Sequence, residues 1–275
     1  MQHTIGVTIN GPSAPQSEIL VALLSEAGYE AFEETDQALK AFIPAHQFDP
    51  EALQGLLQSF ELTFDTELLA PRNWNEEWEQ QYQPVVVDDF AGVRAHFHPP
   101  LTGVQHEIII TPKMSFGTGH HATTWQMMQL MRDMDFAGKR VFDFGSGTGV
   151  LAILAEKLGA AGVLAVDIED WCIENAAENA ERNQCTCIEV KLADTPPAGR
   201  QFDCILANIN RHILLEYMES MSTALATGGV LLVSGFYEAE NELLIGAAAR
   251  QGLQVKAVSE RNNWSCIQFV KPVSS

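Results

Sequence analysis

Residues 140–149 read Arg140-Val141-Phe142-Asp143-Phe144-Gly145-Ser146-Gly147-Thr148-Gly149, and Asp167 follows 22 positions after Gly145. Arg140–Phe144 has the apolar and aromatic character of a buried strand. The glycines make a tight turn that opens a helix, predicted over Thr148–Leu158. Val163–Asp167 is the next strand. With no Cβ in the way, such a turn lets the backbone approach a nucleotide-like ligand closely. An acidic side chain at the end of the second strand can accept hydrogen bonds from both ribose hydroxyls. The letters also limit the ligand. A dinucleotide fingerprint, G-x-G-x-x-G, needs glycine where Val150 stands. No G-x-x-x-x-G-K-[ST] is present, so ATP held by a P-loop is excluded. Taken alone, the turn has a second reading, in which its glycines only let the helix pack closely.

Downstream, strands and helices alternate. Helices are predicted at Glu169–Arg182, Arg211–Ala226 and Glu240–Gln251, and strands at Ile188–Lys191, Phe202–Asn208 and Val230–Ser234. That order means a mostly parallel sheet covered on both faces. Two consecutive strands, Leu253–Glu260 and Ser265–Val270, suggest an antiparallel edge hairpin. Upstream, Val85–Val87 and Gly92–Phe97 form a hairpin, and Glu107–Thr111 another strand.

The first third of the chain has a different order. His3–Asn10 is a strand. Ser17–Ala27 is a helix capped by Ser17, with Ile19, Leu20, Leu23, Leu24 and Ala27 at helical spacing. Tyr29–Glu34 and Ala38–Ile43 are strands around a turn at Asp36. Asp49 caps a second helix, with Pro50 at its first position and Leu53, Leu56, Leu57 and Phe60 on its buried face. Leu62–Leu69 closes the unit. The order βαββαβ suggests a small ferredoxin-like α+β domain, a fold that implies no function by itself. Pro71 ends it. Asn75–Gln83 then reads as a short helix, with Trp74, Trp78 and Tyr82 forming an aromatic packing stripe.

The chain has 275 residues, 46% of them hydrophobic, and a net charge of −20. Residues 1–83 hold fourteen acids and two bases, a net of −12, so the first third carries more than half of the total. Nucleic-acid affinity rests on Lys and Arg neutralising phosphates, so no direct nucleic-acid binding is expected. The field instead suits a basic partner. The start of the chain lacks the basic and apolar regions of a signal peptide, and no run reaches the length of a membrane span. Five cysteines, three of them inside apolar patterns, read as reduced thiols of a cytoplasmic protein. Cys185-x-Cys187, His96-x-His98 and His120-His121 lack second pairs at useful spacing, so no metal is expected.

With Asp143 before it and Asp167 after it, the glycine loop is similar to the nucleotide-binding signature of class I S-adenosylmethionine (SAM) methyltransferases. Two further stretches narrow the resemblance. Ser115-Phe116-Gly117-Thr118-Gly119-His120-His121-Ala122-Thr123-Thr124 precedes the first core strand by about one helix, and Ala207-Asn208-Ile209 ends the fourth. With Trp74-Asn75-x-x-Trp78 and Asp143-Phe144-Gly145, these resemble the PrmA family, whose members methylate large-subunit ribosomal protein eleven. The resemblance implies a substrate-recognition domain at 1–70, a linker helix at 71–84 and a Rossmann-like SAM-dependent methyltransferase domain with a seven-stranded sheet at 85–275. It implies SAM contacts from Thr124, Gly145, Asp167 and Asn208, with Phe116 and Gly147 as neighbours and Asp194 near the adenine. Asn208 would stand beside the methyl group as the catalytic residue. The implied acceptors are lysine side chains and the N-terminal α-amino group of the basic ribosomal protein. Two alternatives stay open: a SAM methyltransferase of RNA or a small molecule, and a non-catalytic SAM-binding protein. Asn208-Ile209-Asn210-Arg211 lacks the proline pair and stacking ring of many base methyltransferases.

Overall fold

The computed structural model describes residues 3–35, 37–69, 82–113 and 115–273. The chain divides into two compact units, Met1–Gln81 and Tyr82–Ser275. The expected linker features Pro71, Trp74 and Trp78 lie outside the described residues, as does the turn residue Asp36.

The first unit runs β1 (Thr4–Asn10), α1 (Ala14–Glu26), β2 (Ala31–Glu34), β3 (Ala38–Pro44), α2 (Pro50–Gln58) and β4 (Thr63–Leu69). Its sheet has the order β2-β3-β1-β4, antiparallel throughout, which is the ferredoxin-like arrangement. Val7, Ile9, Leu39, Ala41 and Ile43 alternate toward the helices and bury Leu20, Leu24, Leu53 and Leu57. Asp49 caps α2 as the sequence suggests, its Oδ1 accepting from the N–H of Glu51 at 2.9 Å and of Ala52 at 3.1 Å.

The start of α1 differs. It begins three residues earlier than expected, and Ser13, not Ser17, is the cap. Gln16 Oε1 accepts from Ser13 N and Oγ at 2.9 and 2.8 Å, and Pro15 fits the first turn, where its missing N–H costs nothing. Ser17 is instead buried beside Leu20 and Leu24, while Ile19 and Leu23 face outward.

The second unit opens with a small sheet of β5 (Val85–Val87), β6 (Ala91–Ala95) and β7 (His106–Ile110), in that order. Helix α3 (Ala122–Met131) leads to a seven-stranded sheet. Its elements are β8 (Arg140–Phe144), α4 (Val150–Lys157), β9 (Gly162–Asp167), α5 (Asp170–Arg182), β10 (Ile188–Leu192), β11 (Phe202–Asn208), α6 (Arg211–Glu216), α7 (Met218–Ala224), β12 (Leu225–Tyr237), α8 (Asn241–Arg250), β13 (Gln254–Arg261) and β14 (Trp264–Val270). The order is β10-β9-β8-β11-β12-β14-β13, with β14 antiparallel to both neighbours. Alternate residues of each central strand feed opposite cores. Val141, Val163 and Ala165 join Met127, Ile153 and Leu154; Phe142, Leu164 and Val166 join Leu214, Met218 and Leu244. The single helix expected over Arg211–Ala226 is two, divided at Tyr217, whose ψ of 10° leaves the helical range. The final hairpin turns at Asn262 and Asn263, both at positive φ (52° and 65°), as a tight two-residue turn requires.

From β8 the chain winds one way to β9 and β10, and later the other way to β11 and β12. Ligands of such sheets bind where the winding reverses, beyond the carboxyl ends of the strands. Here that point lies between Phe144 and Asn208.

Candidate active site

A cavity of about 600 Å³ opens at that point. Gly145, Gly147 and Gly149 all take positive φ (77°, 54° and 78°), so the loop continues to Gly149 and α4 starts two residues later than its expected start at Thr148. A Cβ on Gly145 would collide with Ile209 Cγ2, and one on Gly147 with the carbonyl oxygen of Phe116. Only glycine allows both the conformation and the crowding. Gly145 N and Ser146 N both donate to Val166 O at 2.9 Å. Asp167 Oδ2 accepts from Gly147 N at 2.8 Å and its Oδ1 from Glu169 N at 3.2 Å. The carboxylate is thereby fixed at the cavity edge, and each oxygen keeps lone-pair capacity for another donor.

The segment from Ser115 to His121 lies against this loop. Thr148 N donates to Phe116 O at 2.9 Å, and Thr148 Oγ1 to Gly117 O at 2.6 Å. Phe116, about half exposed, lines the cavity with His121 and Trp264. Ring centroids lie 5.3 Å apart for Phe116 and His121, and 4.6 Å for His121 and Trp264. His121 caps α3 through Nδ1, which faces Thr123 N at 3.4 Å and Thr123 Oγ1 at 2.8 Å. Burial lowers the His121 pKa, which favours the neutral ring. Gln126 Nε2 donates to Trp264 O at 3.2 Å and holds the indole-bearing strand end against α3.

Asn208 closes β11. Its Nδ2 donates to Thr124 Oγ1 at 3.2 Å, whereas its Oδ1 is buried without a hydrogen-bond partner among the described residues. A buried acceptor of this kind is costly to leave empty. The next residue is clamped: Ile209 N donates to Ser234 O at 3.2 Å, and a Cβ at Gly235 would strike the Ile209 carbonyl. Asp143 sits beneath the loop, fully buried, with Oδ2 accepting from Ala152 N at 3.2 Å. Burial pushes its carboxyl up to about 7.

Of the residues expected from the sequence, Phe116, Gly145, Gly147, Asp167, Asp194 and Asn208 line the cavity together. Thr124 does not. It is fully buried behind the wall and touches Asn208, because the turn that begins α3 presents Thr123 to the cavity instead. Sequence reading missed His121, Trp264 and Tyr217. His121 carries a local signal, the cap position before Ala122-Thr123-Thr124. Trp264 carries none, since its place depends on a strand more than a hundred residues downstream.

A family model described as ribosomal protein L11 methyltransferase (PrmA) matches residues 4–272. The ribosomal protein L11 methyltransferase of Porphyromonas gingivalis is 44% identical over 260 residues, covering 92% of this chain and 90% of that protein. That of Phocaeicola vulgatus is 36% identical over 277 residues, covering 98% and 96%. Among solved structures, the ribosomal protein L11 methylase from Lactobacillus delbrueckii subsp. bulgaricus matches with a TM-score of 0.65 at 27% identity, over 70% of this chain and all of that one.

Proposed function

The chain belongs to the ribosomal protein L11 methyltransferase family, and from that premise we propose that it transfers methyl groups from SAM to amino groups of L11, both lysine side chains and the N-terminal α-amino group. SAM, when bound, supplies a methyl group already activated on a sulfonium. The protein therefore has mainly to align, desolvate and orient.

The residues present fit that cosubstrate. Asp167 offers two fixed acceptors for a ribose diol, and Gly145 and Gly147 leave room for close approach. Ile168, Ala193 and Asp194 extend the cavity past Asp167, on the side where the adenine belongs. Phe116 and Ile209 line the cavity and present apolar surface along the path. An acceptor amine must be neutral, and a free lysine has a pKa of about 10.4. Burial near a positive charge lowers it, so no dedicated base is required. Asn208 aims the amine: its unpartnered Oδ1 accepts a hydrogen bond from the incoming N–H and directs the nitrogen lone pair along the transfer line. That empty, buried acceptor at the end of β11 is the observation that carries the mechanism.

In this reading residues 1–70 recognise the substrate, and their acidity draws in a basic protein in the cytoplasm, away from RNA. Among the described residues no helix is long and apolar enough to cross a membrane. The deciding experiment incubates the enzyme with methyl-labelled SAM and free L11, ribosomal RNA or neither. Label is expected in L11, at lysines and the amino terminus. Label in RNA would overturn the substrate, and SAM binding with no transfer to any acceptor would overturn the activity.

A further inference from the structure

Helix α5 carries Asn175 and Asn179, and its C-cap is Asn183, the three at intervals of four and turned toward β7 and the glycine loop. Asn183 brackets Ile109: its Oδ1 accepts from Ile109 N at 3.0 Å and its Nδ2 donates to Ile109 O at 2.6 Å. Asn175 Nδ2 donates to Thr111 O at 3.1 Å. Asn179 is different. Its Oδ1 accepts from Thr111 N at 2.8 Å, but its Nδ2 donates at 2.9 Å to the carbonyl of Thr148, inside the glycine loop. Both contacts are to backbone groups of fixed polarity, so only one orientation of the amide satisfies them. Asn179 and Thr148 are both fully buried.

The Thr148 carbonyl precedes the N-cap Gly149 of α4, where no intrahelical donor reaches it. Asn179 supplies that donor. The helix comes close enough because residue 149 is glycine: a Cβ there would lie 3.2 Å from Ala176 Cβ. Thr148 in turn holds Phe116 O and Gly117 O. Asn179 therefore links Thr111, which Asn175 and Glu178 also hold, to Phe116 and Gly117 through Thr148.

We propose that Asn179 is a positioning residue for the methyl donor, setting the shape of the glycine loop and of the Phe116 segment that borders the SAM cavity. This rests on SAM occupying that cavity. Asn183 is the natural control, because it caps the same helix, donating to Asn179 O at 2.8 Å, and holds the same strand edge without a hydrogen bond to the loop.

The test is SAM affinity of the full chain, measured by calorimetry with no methyl acceptor, in Asn179→Ala, Asn179→Asp, Asn183→Ala and Asp167→Ala. Loss of a buried partner predicts a fall of about tenfold or more in SAM affinity for Asn179→Ala. Asn183→Ala is expected to lower thermal stability and leave SAM affinity near that of the parent. Asn179→Asp keeps the shape and the acceptor for Thr111 N–H and, as a carboxylate, turns an acceptor oxygen toward the Thr148 carbonyl in place of the donor, so it gives the answer at a pH where that carboxyl is ionised if the alanine variant does not fold. Equal SAM affinities in the Asn179 and Asn183 variants would overturn the positioning role. Asp167→Ala separates the two levels. If it binds SAM like the parent, the cavity assignment fails. If it loses SAM while Asn179→Asp retains it, only the role of Asn179 fails.

Discussion

Asp167 and Asn208 end strands that flank β8 on opposite sides, and they face one cavity. Both oxygens of Asp167 already accept backbone N–H groups, which locks the side chain to the glycine loop. Asn208 has one end of its amide held by Thr124 and the other end without a partner among the described residues. A group anchored from behind is suited to holding a ligand in a constant place. A buried acceptor without a donor is suited to a donor that arrives and leaves, as an amine substrate does. In the proposed reading the two walls divide the work, binding on the β9 side and alignment of the reaction on the β11 side.

The division is open to disproof at each residue. Asp167→Ala removes the proposed cosubstrate contacts and also strands the Gly147 and Glu169 N–H groups. SAM affinity measured by calorimetry is expected to fall by at least about a hundredfold; affinity near that of the parent would break the comparison. Asn208→Ala is expected to lower kcat by about a hundredfold at saturating SAM, the scale of a misaligned reacting group. A loss confined to SAM binding would move Asn208 to the binding wall. Thr124→Val frees the Asn208 amide to rotate, and kcat is expected to drop by about tenfold. Thr124→Ser keeps the hydroxyl and should recover most of that loss; equal loss in both would show that packing alone matters at this position.

Asp143, beneath the glycine loop on β8, gives an effect on stability rather than on binding or turnover. Its folded pKa of about 7 lies above the usual 3.8, so the folded state binds the proton more tightly than the unfolded chain does. The stability it contributes is fully present below about pH 4 and is lost as pH rises through about 7. The slope in between approaches about 1.4 kcal/mol per pH unit. Chemical denaturation at intervals from about pH 5 to 7.5 should show this fall in the parent and a flatter profile in Asp143→Asn. Parallel profiles would place the titration elsewhere. The smallest effect concerns neither wall. Glu33→Gln with Glu34→Gln, on exposed positions of β2, should weaken L11 binding a few-fold and reduce its salt dependence, roughly the scale of exposed charges. Unchanged binding would make the acidity of the first unit a matter of solubility.

Much of the site was legible from letters because its constraints are local. Positive φ at Gly145 and Gly147 must be met within the turn itself, and Asp167 ends the strand that directly follows. Asn208 is marked by the resemblance of Ala207-Asn208-Ile209 to the family's strand end, and the structure puts it at the cavity. Elsewhere local patterning misled. Spacing alone assigned Ile19 and Leu23 to a buried face, but once Ser13 and Gln16 set the start of α1, Ser17, Leu20 and Leu24 turn inward. For Thr124 the family resemblance implies a SAM contact, whereas here its side chain is buried against Asn208. Its neighbour Thr123 took the cavity, since successive residues of a helix point about 100° apart.

The sequence by itself determined the succession of strands and helices in both units, the glycine turn and the chemical types at its edges, because hydrophobic period, capping and glycine conformations are properties of short stretches of chain. Tertiary structure alone decided which polar atoms have partners. Asn179 reaches the Thr148 carbonyl, Thr124 takes one end of the Asn208 amide, and Trp264 meets His121, each across 31 or more positions of sequence. Hydrogen bonding inside a packed core is settled by distances of about 3 Å, and residues far apart in the chain come within them only when sheets and helices close together.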